Sequence, residues 1–221
     1  MSKTILITGA NRGIGLALTN VYLNRGDKVI AVCRQSSNEL DATDAEVIQA
    51  VDVAQASGPL QLKQQLGDRH VDVLINNAGI LRSTSLNHLD YDAILKQFEV
   101  NAVGPLRVVD ALKDNLKSGS KIALITSRMG SIDDNTSGGS YGYRMSKTAL
   151  NAAGKSLSHD LKPRGIAVAL LHPGYVQTEM VNFGGEISPE LSAGRLVVRI
   201  DGLNLDNTGS FWHANGELLP W

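Results

Sequence analysis

The stretch Lys3-Thr4-Ile5-Leu6-Ile7-Thr8-Gly9-Ala10-Asn11-Arg12-Gly13-Ile14-Gly15 decides how this chain folds. Lys3–Thr8 is a β-branched, apolar run that reads as a buried strand, and it runs straight into a glycine-rich turn. Beyond the turn, Leu16, Ala17, Leu18, Val21, Tyr22 and Leu23 recur as one face of a helix, which Gly26 closes. Strand, glycine turn and helix, in that order, give a glycine motif its chemical meaning. The turn must be tight, and a pyrophosphate must reach the backbone at the positive end of the helix. The spacing here is G-x-x-x-G-x-G, not the more familiar G-x-G-x-x-G.

The remaining chain repeats the strand–helix alternation. Strands are predicted at Lys28–Cys33, Glu46–Val51, Val71–Ile75, Lys121–Thr126, Ile166–Leu171 and Ser210–His213. Helical spacing occupies Gln55–Leu66, His88–Asn115, the residues from Arg144 to Leu161, and Ser188–Ile200. Asn101 and Gly104-Pro105 interrupt the long pattern at His88–Asn115 and predict a kink there. About seven alternations argue for an α/β fold: a doubly wound parallel sheet of about seven strands with helices on both faces. No linker, repeat or low-complexity tract divides residues 1–221, so one domain is expected.

Bulk properties exclude several functions. The net charge is -1 with no basic run, which argues against nucleic acid or an anionic membrane as partner. No apolar segment approaches the roughly 20 residues that span a bilayer, and the N-terminus carries no signal peptide pattern. Cys33 is the only cysteine, which rules out a disulfide framework or a thiolate metal cluster. A cytoplasmic protein is expected.

Dinucleotide chemistry gives the strand ends specific tasks. An NAD-type site places a carboxylate after the second strand to bind the ribose 2′-hydroxyl. Here Cys33 is followed by Arg34, Gln35, Ser36 and Ser37, with no acid before Glu39. Arg12 in the glycine turn should point to the same place. Two guanidinium groups and neighbouring hydroxyls suit a 2′-phosphate, so NADP(H) is expected over NAD(H). Asp52, followed by Val53, either accepts from an adenine amino group or caps the next helix. Asn76-Asn77-Ala78-Gly79 ends the fourth strand and should line the same cleft.

Ser140-Tyr141-Gly142-Tyr143-Arg144-Met145-Ser146-Lys147 places Tyr143 and Lys147 four apart, on one helix face. An ammonium beside a phenol favours the phenolate, so the tyrosine pKa is expected below its free value of about 10. Tyr141 has no such lysine and reads as a pocket wall.

Taken together, Thr8-Gly9-x-x-x-Gly13-x-Gly15, Asn76-Asn77-Ala78-Gly79, Asn101, Ser127, Tyr143-x-x-x-Lys147 and Pro173-Gly174 resemble the short-chain dehydrogenase/reductase family over nearly the whole chain. Ser127–Ser131, Tyr143–Lys147 and the ending Leu219-Pro220-Trp221 are similar to its branch of sniffer-type carbonyl reductases and C-factor-like proteins. The resemblance implies a Rossmann-type fold and hydride transfer between a nicotinamide and a small carbonyl substrate. It implies catalytic roles for Tyr143 as general acid, Lys147 as its modulator and ribose ligand, Ser127 as hydrogen-bond donor to the substrate oxygen, and Asn101 as holder of a relay water. For the cofactor it implies Gly9, Asn11, Arg12, Gly13, Ile14, Gly15, Arg34, Asp52, Val53, Asn77, Ala78, Gly79, Pro173, Gly174, Val176 and Thr178, with no metal. Ser127 lies 16 residues before Tyr143, further than in many members, and Ser131 is the rival. A homodimer is a further implication, through the helices at His88–Asn115 and Tyr143–Leu161. The C-factor resemblance leaves a second reading open, a cofactor-binding signalling protein with little turnover.

Overall fold

A computed structural model describes residues 2–221. Seven parallel strands form one sheet in the order β3-β2-β1-β4-β5-β6-β7. They are β1 (Thr4–Thr8), β2 (Lys28–Val32), β3 (Glu46–Ile48), β4 (Val73–Asn76), β5 (Lys121–Ile125), β6 (Ala167–His172) and β7 (Ser210–His213). Order reverses at β1 and β4, which run side by side, and a doubly wound sheet opens a crevice at that point beyond the strands' carboxyl ends.

The strands are apolar at nearly every position because helices cover both faces. Ile5, Ile7, Val29, Ala31, Ala169 and Leu171 pack on one side with α1 (Gly13–Asn24) and α7 (Pro189–Gly202). Leu6, Ile30, Leu74, Ile122, Leu124 and Val168 face the other side. There they meet α3 (Ser57–Leu66), α5 (Gly104–Leu112) and α6 (Tyr141–Leu161). Gly154, one of the small residues of α6, turns to the sheet, where an added Cβ would sit 2.7 Å from Leu124 Cδ1.

Several elements depart from the sequence reading. A short helix α2 (Asn38–Asp41) was not expected; Ser37 caps it by accepting from Leu40 N at 3.2 Å. The helix at Gln55–Leu66 starts at Ser57, which puts Pro59 in its first turn, where a missing N–H costs nothing. The long helix predicted from His88 to Asn115 is three pieces. Asp90 caps α4 (Tyr91–Phe98), a π-helical turn covers Glu99–Val103, and α5 follows. Pro105 cannot donate to a regular ladder, and the widened turn is the form the predicted kink takes.

Candidate active site

A cleft of about 730 Å³ opens at the reversal of strand order. Its floor is the glycine turn. Gly9 and Gly13 adopt φ of +66° and +54°, in the left-handed region that favours glycine. Arg12 occupies the N-cap of α1 without a side-chain cap, and no acid stands in the first turn, so the helix presents free N–H groups and a positive end. Asn77 holds this turn from β4: its Nδ2 donates to Thr8 O at 3.1 Å and Gly9 O at 3.0 Å. Thr8 Oγ1 accepts from the backbone of both Asn77 and Ala78 at 3.1 Å.

Of the expected cofactor residues, Gly9, Asn11, Arg12, Gly13, Ile14, Arg34, Asp52, Val53, Asn77, Ala78, Gly79, Tyr143, Lys147, Pro173 and Thr178 all line the cleft. Three do not. Gly15 lies behind the turn against Gly9; Gly174 makes a left-handed turn at φ +93°; Val176 is buried and bridges to Ile187. These three shape the wall rather than present atoms to it. Asp52 accepts from Ala54 N at 3.0 Å while still lining the cleft, so it ties the turn ahead of α3 and does not cap the helix.

The serines expected beside the 2′-phosphate are otherwise engaged. Ser37 Oγ donates to Asn11 O at 2.7 Å, and Ser36 Oγ to Asp41 Oδ1 at 2.5 Å. Arg34 lines the cleft and has no side-chain hydrogen bond or ion pair among the described residues. Arg12 pairs with Glu179, across the cleft mouth, a contact that sequence reading missed.

At the inner end, α6 carries Tyr143 and Lys147, both under a tenth exposed, along one face. Lys147 Nζ donates to Ile125 O at 2.8 Å and stands 5.7 Å from the Tyr143 ring centre. Ser127 follows β5, is 7% exposed, and its hydroxyl acts on the Tyr143 phenol to lower its pKa. Each serine also accepts a local backbone N–H: Ser127 Oγ from Met129 N at 3.1 Å and Ser131 Oγ from Asp134 N at 3.1 Å. Gly130 brings this loop against α6; an added Cβ would lie 2.8 Å from the Lys147 carbonyl carbon.

One expectation is overturned. Lys147 does not hold the Tyr143 phenol below its ordinary pKa; burial pushes it up to about 12, opposed only by the Ser127 hydrogen bond. Burial also pulls the Lys147 ammonium down to about 8. Spacing in sequence puts the two on one face, but it does not report the water removed from around them. Desolvation then outweighs their mutual field. The result is a phenol firmly protonated at neutral pH.

Asn101 sits in the π turn, fully buried. Its Oδ1 accepts from Ile80 N at 2.8 Å, and its Nδ2 donates to Ile80 O at 2.8 Å and Ser146 Oγ at 3.0 Å. Both amide hydrogens are therefore occupied, and only a second lone pair on the side-chain oxygen remains for a water. Asn101 pins the segment after β4 to α6. Ser146, whose hydroxyl donates in turn to Tyr143 O at 2.8 Å, completes this brace and was not foreseen. Only its position beside Lys147 in the sequence could have suggested it.

His172 ends β6 beside His213, ring centres 4.9 Å apart and edge to face. Its Nδ1 is buried without a partner among the described residues, and burial, then the fields of His213, Arg128 and Lys147, pull its pKa down to about 3. The folded state thus binds the proton more weakly than the unfolded chain, whose pKa is about 6.5. Stability from the neutral ring is present above that value and is lost as pH falls toward 3, on the order of 5 kcal/mol when complete. His172→Gln is expected to flatten the dependence of unfolding free energy on pH between 6 and 4, measured by urea titration against wild type. An unchanged slope difference would show that the ring does not titrate in this window.

The fold and cleft define a nucleotide-fold protein of the doubly wound class. The family model described as short chain dehydrogenase matches residues 3–186, and the chain belongs to that family. It is 39% identical, over 99% of its length and 100% of the relative's, to 1-hydroxy-2-glutathionyl-2-methyl-3-butene dehydrogenase of Rhodococcus sp. strain AD45. It is 47% identical to the C-signal protein of Myxococcus xanthus, over 68% of this chain and 93% of that one. Among solved structures, carbonyl reductase Sniffer of D. melanogaster superposes with a TM-score of 0.91, 31% identity and full coverage of both chains. An NADPH-bound carbonyl reductase from chicken fatty liver gives 0.90 and 26%, covering 100% of this chain and 99% of the other. The chain is accordingly an oxidoreductase of the short-chain dehydrogenase type, similar to carbonyl reductases. No helix among the described residues is long and apolar enough to cross a membrane.

Proposed function

We propose that this chain is a single-domain, NADPH-dependent reductase of small aldehydes and ketones. The observation that carries the reading is the buried pair Tyr143 and Lys147 lining the inner end of a glycine-floored cleft, with buried Ser127 next to cleft-lining Thr126 at the end of β5. The glycine turn, the uncapped end of α1 and the two arginines fit a phosphorylated dinucleotide. The NADPH found in the chicken carbonyl reductase supports the choice.

The cofactor, when bound, supplies the hydride that adds to the carbonyl carbon. As the carbonyl π pair moves onto oxygen, Ser127 donates a hydrogen bond to it and Tyr143 delivers its phenolic proton, so the product is the alcohol. Lys147, next to the resulting phenolate, stabilises that charge and relaxes its own lowered pKa as it does so. Reprotonation of Tyr143 from solvent through Lys147 and a water at Asn101 closes the cycle. Met180 and Phe183, exposed beside the cleft, offer a short apolar cover that suits substrates of modest size.

The signalling reading, which the C-signal likeness keeps in view, has no use for a buried phenol beside a depressed lysine, and the enzyme reading is favoured for that reason. A homodimer would use the outer face of α4 and α5, where Tyr91, Leu95, Phe98 and Leu106 are exposed.

The test is a pair of fluorescence titrations with NADPH and NADH, followed by NADPH oxidation against a panel of aldehydes and diketones. Arg34→Ala is expected to weaken NADPH by about 10- to 100-fold, the worth of a charged hydrogen bond, and to leave NADH within about 3-fold. Tighter NADH than NADPH in the wild type would overturn the cofactor assignment.

A further inference from the structure

We infer that Glu179 is a specificity-determining residue that sets the affinity for phosphorylated cofactor by holding Arg12 away from it. The inference rests on the cofactor reading above. Arg12 belongs to the glycine turn and Glu179 to the short turn Glu179–Val181 after β6, so their ion pair joins the two walls of the cleft mouth. Thr178, next to Glu179, lies over the glycine turn: its Cγ2 is 3.2 Å from where a Cβ of Gly13 would be. The pair therefore spans the place where an anionic ligand reaches the end of α1.

Five charged residues line the cleft: Arg12, Arg34, Lys147, Asp52 and Glu179. Lys147 is buried at the far end and tied to Ile125 O, and Asp52 accepts from Ala54 N. That leaves two guanidinium groups for phosphate, and one of them is neutralised by Glu179. Arg34 has no partner among the described residues, so the asymmetry between the two arginines is due to one carboxylate.

Both members of the pair are more than half exposed, which makes the bond weak and exchangeable. A phosphate dianion is a stronger and geometrically better partner for guanidinium than a solvated carboxylate. Binding then exchanges Glu179 for phosphate on Arg12 and leaves Glu179 as an unpaired anion in the same mouth. It is the release of Arg12 from this pair that lowers affinity relative to a chain without the carboxylate; the field of the freed carboxylate, more than half exposed, is screened by water. The restraint matters most for the ligand with the extra phosphate, so Glu179 narrows the preference for NADPH over NADH.

The experiment titrates NADPH, NADH and 2′,5′-ADP into the purified full chain, with wild type, Glu179→Gln, Arg12→Ala and the double variant. Glu179→Gln is expected to tighten NADPH and 2′,5′-ADP by about 3- to 10-fold and NADH by less. In the Arg12→Ala background the same substitution is expected to change binding by under 2-fold. Unchanged or weaker NADPH binding in Glu179→Gln overturns the inference, and so does a gain that persists without Arg12, because a bare field from the carboxylate would then be the cause. A wild type that binds neither dinucleotide overturns the cofactor reading as well. That result is distinguishable, since it is read from the wild-type titration alone.

Discussion

Tyr143→Phe is expected to lower kcat for carbonyl reduction by about 10²- to 10⁴-fold, the usual contribution of a positioned proton donor. Burial sets what the substitution costs the fold. The ring is 8% exposed and packed in α6, and phenylalanine fills the same space, so the fold should lose no more than the hydrogen bond to Ser127, about 1 kcal/mol. NADPH affinity should hold within about 3-fold, because Lys147 keeps its bond to Ile125 O and the glycine turn is untouched. What disappears is the proton that is transferred to the carbonyl oxygen; the Ser127 hydroxyl can still donate a hydrogen bond but is a far weaker acid than a phenol. A phenol pushed up to about 12 is a weak acid before reaction, but the forming alkoxide is a stronger base than the phenolate it leaves. Transfer is therefore driven by the substrate, with the Lys147 charge next to the phenolate. Single-turnover NADPH oxidation with a reactive diketone checks the result. Loss of turnover with retained cofactor binding supports the assignment, and turnover within 5-fold of wild type would falsify it.

The phenol's direction of shift shows where sequence reading stops. Tyr143 and Lys147 were placed together by helix periodicity alone, because that relation is local and geometric. Their electrostatics depend on residues brought in from elsewhere: the Ile125 carbonyl 22 residues away and the desolvation by the sheet below. The strands were legible for a similar reason. Burial on both faces writes a continuous apolar run, as in Ile5–Ile7 and Ala167–Leu171, that needs no partner to be recognised. Asn101 and Gly104-Pro105 announced an interruption but not its form, since a kink and a π turn answer the same missing donor. Glu179 carried no signal at all. Its partner Arg12 is 167 residues distant, and only the fold sets them across one opening. Ser36 and Ser37 show the opposite error: hydroxyls expected beside a 2′-phosphate are drawn instead into the cap and tether of α2.

Gly15→Ala is expected to abolish measurable dinucleotide binding and to lower Tm by several degrees, although the change adds one methyl group. Gly15 is helical, so backbone strain is not the reason. An added Cβ falls far inside contact distance of Gly9 O and 2.7 Å from Asn77 Nδ2, the amide that fastens the turn. Gly9 cannot retreat, because its own α-carbon side faces Ala78, where a Cβ would already meet Cα at 2.9 Å. Overpacking of this kind costs about 1–3 kcal/mol, and for a chain of this size each kcal/mol is worth about 2–4 °C. The larger effect is on function. Moving the turn by a few tenths of an ångström takes backbone donors away from the phosphates, and two lost charged hydrogen bonds weaken binding by about 10²- to 10⁴-fold. Gly194→Ala supplies the contrast. That glycine is inside α7 with open space around it, so alanine there should raise Tm slightly and leave binding unchanged. If the two variants melted and bound NADPH alike, close approach at Gly9 would not be what the third glycine of the motif provides. If only Gly15→Ala fails, a residue behind the cleft wall is the one that fixes the surface the cofactor needs.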